Sequence, residues 1–161
     1  MTAPSFPPTL PELRSELAEL ADWDERYDYL IDLGRQLQSL DDAHRMECNL
    51  VHGCMSTVWL VAQVNLGPPV TLEILADSDS LIVKGLIVVL LALFNRRTPE
   101  GILTADPDEV FKELGLHQHL SPQRRNGLYA MVKRIQQLAV KHLTEASNPS
   151  SISNGFNGLQ P

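Results

Sequence analysis

The sequence predicts an α+β domain in which a small, mostly antiparallel sheet packs against helices. Two strand-like segments, 56–64 and 70–76, flank the turn-forming run Asn65-Leu66-Gly67-Pro68-Pro69 and are expected to pair as a hairpin. Segments with apolar residues at helical spacing lie on both sides of that hairpin. Two strands are too few for a barrel or a sandwich, so helices have to cover one face of the sheet. At 161 residues, 43% hydrophobic and 20% charged, the chain has the size and balance of one domain with one core.

Each element has its own signal. Thr9-Leu10-Pro11-Glu12 has the spacing of a capping box with proline near the first helical position, and Leu10, Leu13, Leu17 and Leu20 continue as a helical stripe. Asp22, with Glu25 three residues on, starts a second helix whose inward stripe is Trp23, Tyr27, Leu30, Ile31, Gly34 and Leu37, ending near Leu40. A polar stretch, 41–47, follows. Segment 56–64 is β-branched, aromatic and apolar, the composition of a largely buried strand, with Trp59 as its core anchor. Val70, Leu72, Ile74 and Ala76 alternate with Thr71 and Glu73, the period of a half-buried strand.

Asp77-Ser78-Asp79 reads as the cap of the next helix. That helix, 81–94, is apolar on nearly all sides. Lys84 and Gly85 interrupt it, and it is shorter than the roughly 20 residues a membrane span needs, so a buried core helix is expected. Thr98-Pro99-Glu100 and Asp106-Pro107-Asp108-Glu109 start two short helical turns, the second ending at Gly115. Ser121-Pro122 opens a last long helix, whose stripe of Leu128, Met131, Val132, Ile135, Leu138, Ala139 and Leu143 runs to about Thr144. The domain is expected over residues 9–145. Residues 146–161, rich in Ser, Asn, Gly and Pro, are expected as a disordered tail, because they bury too little apolar surface to offset their ordering entropy.

Composition narrows the function. A net charge of -7 argues against a nucleic-acid or anionic-membrane binder and fits docking to specific protein partners. Two cysteines cannot staple a secreted framework, and MTAPSFPPTL lacks the basic and apolar regions of a signal peptide; a cytoplasmic protein with free thiols is expected. His44, Cys48, His52 and Cys54 share one segment without the ligand spacings of zinc sites, and two thiolates fall short of the four that usually hold an iron–sulfur cluster. A metal shared between subunits stays open as an alternative.

Cys54 is the candidate nucleophile. Gly53 directly before it gives the backbone freedom to reorient the sulfur; His52 and a distant arginine are cations able to lower the thiol pKa, but the spacing does not place either beside it. No motif supplies an oxyanion hole or an ordered base beside it, so the residues suit a sulfur that accepts and passes on a group.

Asn49-Leu50-Val51-His52-Gly53-Cys54-Met55-Ser56-Thr57-Val58-Trp59 resembles the signature of the SufE/CsdE family of sulfur acceptors. The resemblance extends to Trp23, Arg26, Tyr27, Leu30, Leu33 and Gly34, and to Asp77-Ser78-Asp79 with Ile82-Val83-Lys84-Gly85-Leu86. It closes on Leu114-Gly115-Leu116, His119-Leu120-Ser121-Pro122, Arg124 and Asn126-Gly127-Leu128. It implies an α+β fold shared with IscU-type scaffolds and a chain that is not an enzyme in its own right. Cys54 would carry a persulfide received from a cysteine desulfurase of the SufS/CsdA kind, a pyridoxal-phosphate (PLP) enzyme. The sulfur would go toward iron–sulfur cluster assembly on a SufBCD-like scaffold. On this reading Gly53, His52 and Ser56 support the loop, Arg124 contacts the thiolate or the partner, and the chain holds neither cofactor nor metal. Two departures stand out: Met55 replaces a common glutamine, and Cys48 is an added thiol. The alternative reading is an IscU-like scaffold or metal-binding module using Cys48, Cys54 and the nearby histidines.

Overall fold

The computed structural model describes residues 6–147. Its elements are α1 (Leu10–Glu19), α2 (Trp23–Gln36), β1 (Val58–Asn65), β2 (Thr71–Ser78), α3 (Leu81–Phe94), α4 (Pro99–Thr104), α5 (Pro107–Glu113), α6 (Leu116–His119) and α7 (Pro122–Ser147). Two single 3-10 turns, Asp42–His44 and Glu47–Asn49, link α2 to the sheet. The class is α+β, as the sequence predicts. Residues 148–161, the bulk of the expected tail, lie outside the described residues.

Local signals set the helix starts. The Thr9 hydroxyl accepts from the Glu12 N–H at 3.3 Å, and the Glu12 carboxylate accepts from the Thr9 N–H at 2.9 Å, a reciprocal cap. Asp22 accepts from the Glu25 N–H at 2.9 Å to open α2. α2 ends at Gln36, short of Leu40. The chain leaves the helix there because the Leu40 N–H donates to the buried Asp77 carboxylate at 3.1 Å.

β1 and β2 pair antiparallel from Val58↔Ser78 to Asn65↔Thr71. Val58, Leu60, Leu72, Ile74 and Ala76 are buried on the face toward the helices. Only the first half of β1 is covered: Gln63, Val64 and Asn65 are exposed where the hairpin tip projects past the helices, so the strand is not largely buried. Trp59 is not in the core either. It pairs with Asp77, one residue out of phase with Val58 and Leu60, and lies half-buried with the Arg45 guanidinium 5.4 Å from its ring centroid. The outer edge of β2 is closed by the turn after α3, through Leu72 N–H to Arg97 O, Arg96 N–H to Leu72 O and Ile74 N–H to the Asn95 side chain.

α3 is the buried core helix expected, and no described helix is long and apolar enough to cross a membrane. Ser80 caps it, its hydroxyl accepting from the Val83 N–H. Asp77, expected as part of that cap, is instead 1% exposed, with its carboxylate turned inward. It collects the N–H groups of Leu40 and Ser78, the Arg45 guanidinium at 2.8 Å and the Lys84 ammonium at 3.6 Å. α7 runs to Ser147, slightly past the expected end, and buries Leu128, Met131, Val132, Ile135 and Ala139.

α2 crosses α3 almost backbone on backbone. A β-carbon built on Gly85 would lie 2.1 Å from the Leu30 carbonyl oxygen, and one on Gly34 would lie 2.4 Å from that of Leu81. Neither obstacle is a side chain able to swing aside. Gly85→Ala is therefore expected to force the helices apart and cost about 3 kcal/mol, the upper part of the usual overpacking range. Urea unfolding checks it, the expected result being a lowered midpoint with an unchanged slope.

Candidate functional site

The segment carrying Cys54 is a short loop held at both ends. On its N-terminal side, Leu50 bridges Trp59 and the Val51 N–H donates to the Val58 carbonyl at 2.9 Å. On its C-terminal side, the Thr57 N–H donates to the Asp79 carboxylate at 3.1 Å, while the Thr57 carbonyl accepts from the Asp79 N–H at 3.3 Å and the Ser78 hydroxyl at 2.8 Å. Five residues, His52 to Ser56, are left between the pins. Gly53 turns the chain there with φ +93°, a left-handed conformation that costs other residues free energy.

Cys54 leans onto α7. Its thiol donates to the Gly127 carbonyl oxygen at 3.5 Å, and a β-carbon on Gly127 would already touch the sulfur at 3.5 Å. Beside the sulfur is a cavity of about 170 Å³. The loop lines it with Met55 and Ser56, α3 with Val83 and Leu86, and α7 with Arg124, Gly127, Leu128 and Met131. Burial pushes the Cys54 thiol above its ordinary pKa, because a thiolate would lose hydration in this half-buried position. In the closed loop the sulfur is thus protonated near neutral pH and a poor nucleophile.

Of the residues singled out in the sequence, Gly53, Ser56 and Arg124 come together around Cys54. Arg124 is exposed at the cavity, its guanidinium 5.6 Å from the centroid of the Tyr27 ring. His52 is exposed in the turn and outside the cavity lining. Cys48 is also apart: a free, exposed thiol in the second 3-10 turn, with its carbonyl accepting from Arg134 at 3.4 Å. Among the described residues, no three His, Cys, Asp or Glu side chains gather as a ligand set, and His44, Cys48, His52 and Cys54 do not converge.

Sequence reasoning gave no role at the cysteine loop to three positions that contact it. Asp79 pins Thr57, which no local pattern announces. Arg134 holds Cys48 across 86 residues of chain. Gly127 carried a signal, since glycine inside a helix usually marks close backbone approach, and here the approaching atom is the Cys54 sulfur.

The sheltered thiol gives a measurable pH dependence. With iodoacetamide near neutral pH, Cys48 is expected to label before Cys54, and the Cys54 rate is expected to keep rising to higher pH than that of an unstructured cysteine peptide. Asp79→Ala, which removes one of the three bonds of the C-terminal pin, is expected to speed Cys54 labelling several-fold; equal rates in both proteins would show that this bond does not restrain the loop. The linkage has a definite sign. A raised folded pKa means the fold prefers the neutral thiol, so the Cys54 contribution to stability is full below the ordinary thiol pKa and is lost as pH rises through the folded value.

Residues 11–139 match the family described as SufE, the Fe-S metabolism associated domain. The fold is similar to that of a hypothetical protein from Thermus thermophilus whose structure was solved in solution. That likeness has 22% identity and a TM-score of 0.67, and covers 84% of this chain and 96% of that one. The family match spans both loop pins, Cys54 and the α7 face beneath it. The chain belongs to the SufE family and has a role in Fe-S metabolism.

Proposed function

We propose that this chain accepts sulfur from a cysteine desulfurase, holds it as a Cys54 persulfide, and passes it toward iron–sulfur cluster assembly on a SufBCD-like scaffold. One observation carries the reading: a thiol sheltered against α7 beside a cavity, at the centre of a loop pinned at both ends. A static active site gains nothing from hiding its nucleophile, whereas a carrier needs it hidden between encounters and exposed during them.

The chemistry is thiol exchange. The loop opens, the Cys54 thiol loses its proton, and the thiolate attacks the outer sulfur of the desulfurase's cysteine persulfide. The sulfur–sulfur bond on the desulfurase breaks, its cysteine leaves as thiolate, and a new bond forms at Cys54. No oxidant or reductant is consumed, and the step needs no cofactor on this chain; PLP belongs to the desulfurase of the SufS/CsdA kind. Gly53 lets the loop turn outward without a β-carbon clash, and Met55, 80% exposed, moves with Cys54 and meets the partner first. Arg124 at the cavity rim is positioned to contact the incoming protein or the sulfur's charge.

Incubation with a SufS-like desulfurase, PLP and cysteine, followed by intact-mass spectrometry, tests the reading. A one-sulfur adduct is expected on the wild type and none on Cys54→Ser, together with loss of desulfurase stimulation by that variant. An equal adduct on both proteins would move the acceptor to Cys48 and refute the assignment.

A further inference from the structure

The helix beneath the cysteine loop carries a charge pattern that the loop chemistry does not use. Between Ser121 and Thr144 the chain has Arg124, Arg125, Lys133, Arg134 and Lys141 and no aspartate or glutamate, in a protein of net charge -7. The acid lies elsewhere: residues 10–36, which form α1 and α2, hold eight Asp and Glu against three Arg. The molecule is therefore polarised, with its most cationic helix at the sulfur.

Along α7, Gly127 and Ala130 lie against Cys54 and Gly53. Arg134 reaches the segment that leads into the loop, its guanidinium donating to the Cys48 carbonyl at 3.4 Å. Gln137 and Lys141 continue the same line at spacings of three and four, and both are exposed. Lys141 is two turns past Arg134, about 10 Å along the axis. Lys133 is exposed beside this line, and Val140, 49% exposed, lies next to it. Among the described residues, Lys133, Arg134 and Lys141 are in no ion pair. An exposed apolar residue among unpaired cations has the make-up of a small docking surface, an anchor inside a charged rim.

The complement of this surface is a carboxylate-rich patch on a protein. The stripe spans only a few helical turns, and the acidic remainder of the chain would repel a long polyanion or an anionic bilayer. Arg134 ties the surface to the loop. Its bond to the Cys48 carbonyl is long and its Nε is buried without a partner. A carboxylate arriving on α7 offers it a charge-assisted bond roughly twice as strong as one to a neutral acceptor, and so loosens its hold on the segment that carries the loop.

We infer that the outer side of α7, from Lys133 to Lys141, is a docking arm for an acidic surface of the desulfurase, gathering that protein beside the cysteine loop before sulfur moves. The inference rests on the reading of Cys54 as sulfur acceptor. None of the arm's residues lines the cavity at the sulfur, so the arm sets encounter and affinity and leaves the transfer step to the loop. Its exposed charges are open to screening by salt.

The test measures binding of a SufS-like desulfurase to the full chain at increasing salt, with Cys54→Ser as background so that no sulfur moves, and then desulfurase stimulation with Cys54 intact. Lys133→Glu with Lys141→Glu is expected to weaken binding about ten-fold at low salt and to flatten its salt dependence. The concentration giving half-maximal stimulation is expected to rise by a similar factor, with the maximal rate and the Cys54 adduct at saturation unchanged. Arg97→Glu with Lys112→Glu makes the same change in net charge at exposed positions elsewhere, and is expected to bind as the wild type does. Matching urea midpoints show that both variants are folded. Unweakened binding by the α7 variant, an equal loss in the Arg97 and Lys112 variant, a lowered maximal rate at an unchanged half-maximal concentration, or an effect traced to the break-up of a dimer of this chain would each overturn the inference and leave the acceptor reading standing. No Cys54 adduct at saturation, with salt-sensitive binding through α7 intact, would remove the acceptor reading instead.

Discussion

The buried carboxylate of Asp77 ties the parts of this fold together. It sits on β2, and its donors come from the α2–sheet connection (Leu40, Arg45), its own strand (Ser78) and α3 (Lys84). An unpaired carboxylate at 1% exposure would be costly, and two cations with two peptide N–H groups offset that cost. The geometry that satisfies it also fixes the path of residues 40–51. Arg45 reaches from that path across the Trp59 ring to Asp77, so the segment delivering the cysteine loop is set by a charge it does not contain.

Shelter and reactivity oppose each other at Cys54. The contacts that hide the sulfur also keep it protonated, so the loop position that shelters the thiol suppresses its attack. Opening resolves the conflict only if closing is cheap to reverse. Five residues between two pins, one of them glycine, form a small unit whose opening leaves the helices and the hairpin untouched. The close crossing of Gly34 and Gly85 joins α2 to α3 and takes no part in the bonds that pin the loop.

Much of the fold was legible because its signals are local. The Thr9–Glu12 and Asp22–Glu25 caps, the Pro-rich hairpin turn and the all-apolar α3 each declare themselves within a few residues. Two of the misreadings come from contacts distant in sequence. Asp77 looked like a cap residue because its partners at Leu40 and Arg45 lie more than thirty positions earlier, and the same bond ended α2 ahead of its apolar stripe. Trp59 looked like core by composition, but strand phase put Val58 and Leu60 inward. At the site, Gly53-Cys54 was legible from the motif. The α7 face that receives the sulfur was not, because nothing in residues 122–134 says which loop will lie on it.

The pairing of Leu50 and Val51 with β1 has one more effect. A two-stranded sheet has two rims, and the β2 rim is closed by Asn95, Arg96 and Arg97. On the β1 rim, the ladder bonds among the described residues are those made by the start of the cysteine loop. Those few residues act as a stub of third strand, shielding backbone that would otherwise template intermolecular pairing. Solubility and loop position are therefore coupled: a change that peels Leu50 and Val51 away also lengthens a sticky margin, and self-association becomes the companion of a cysteine left permanently undocked.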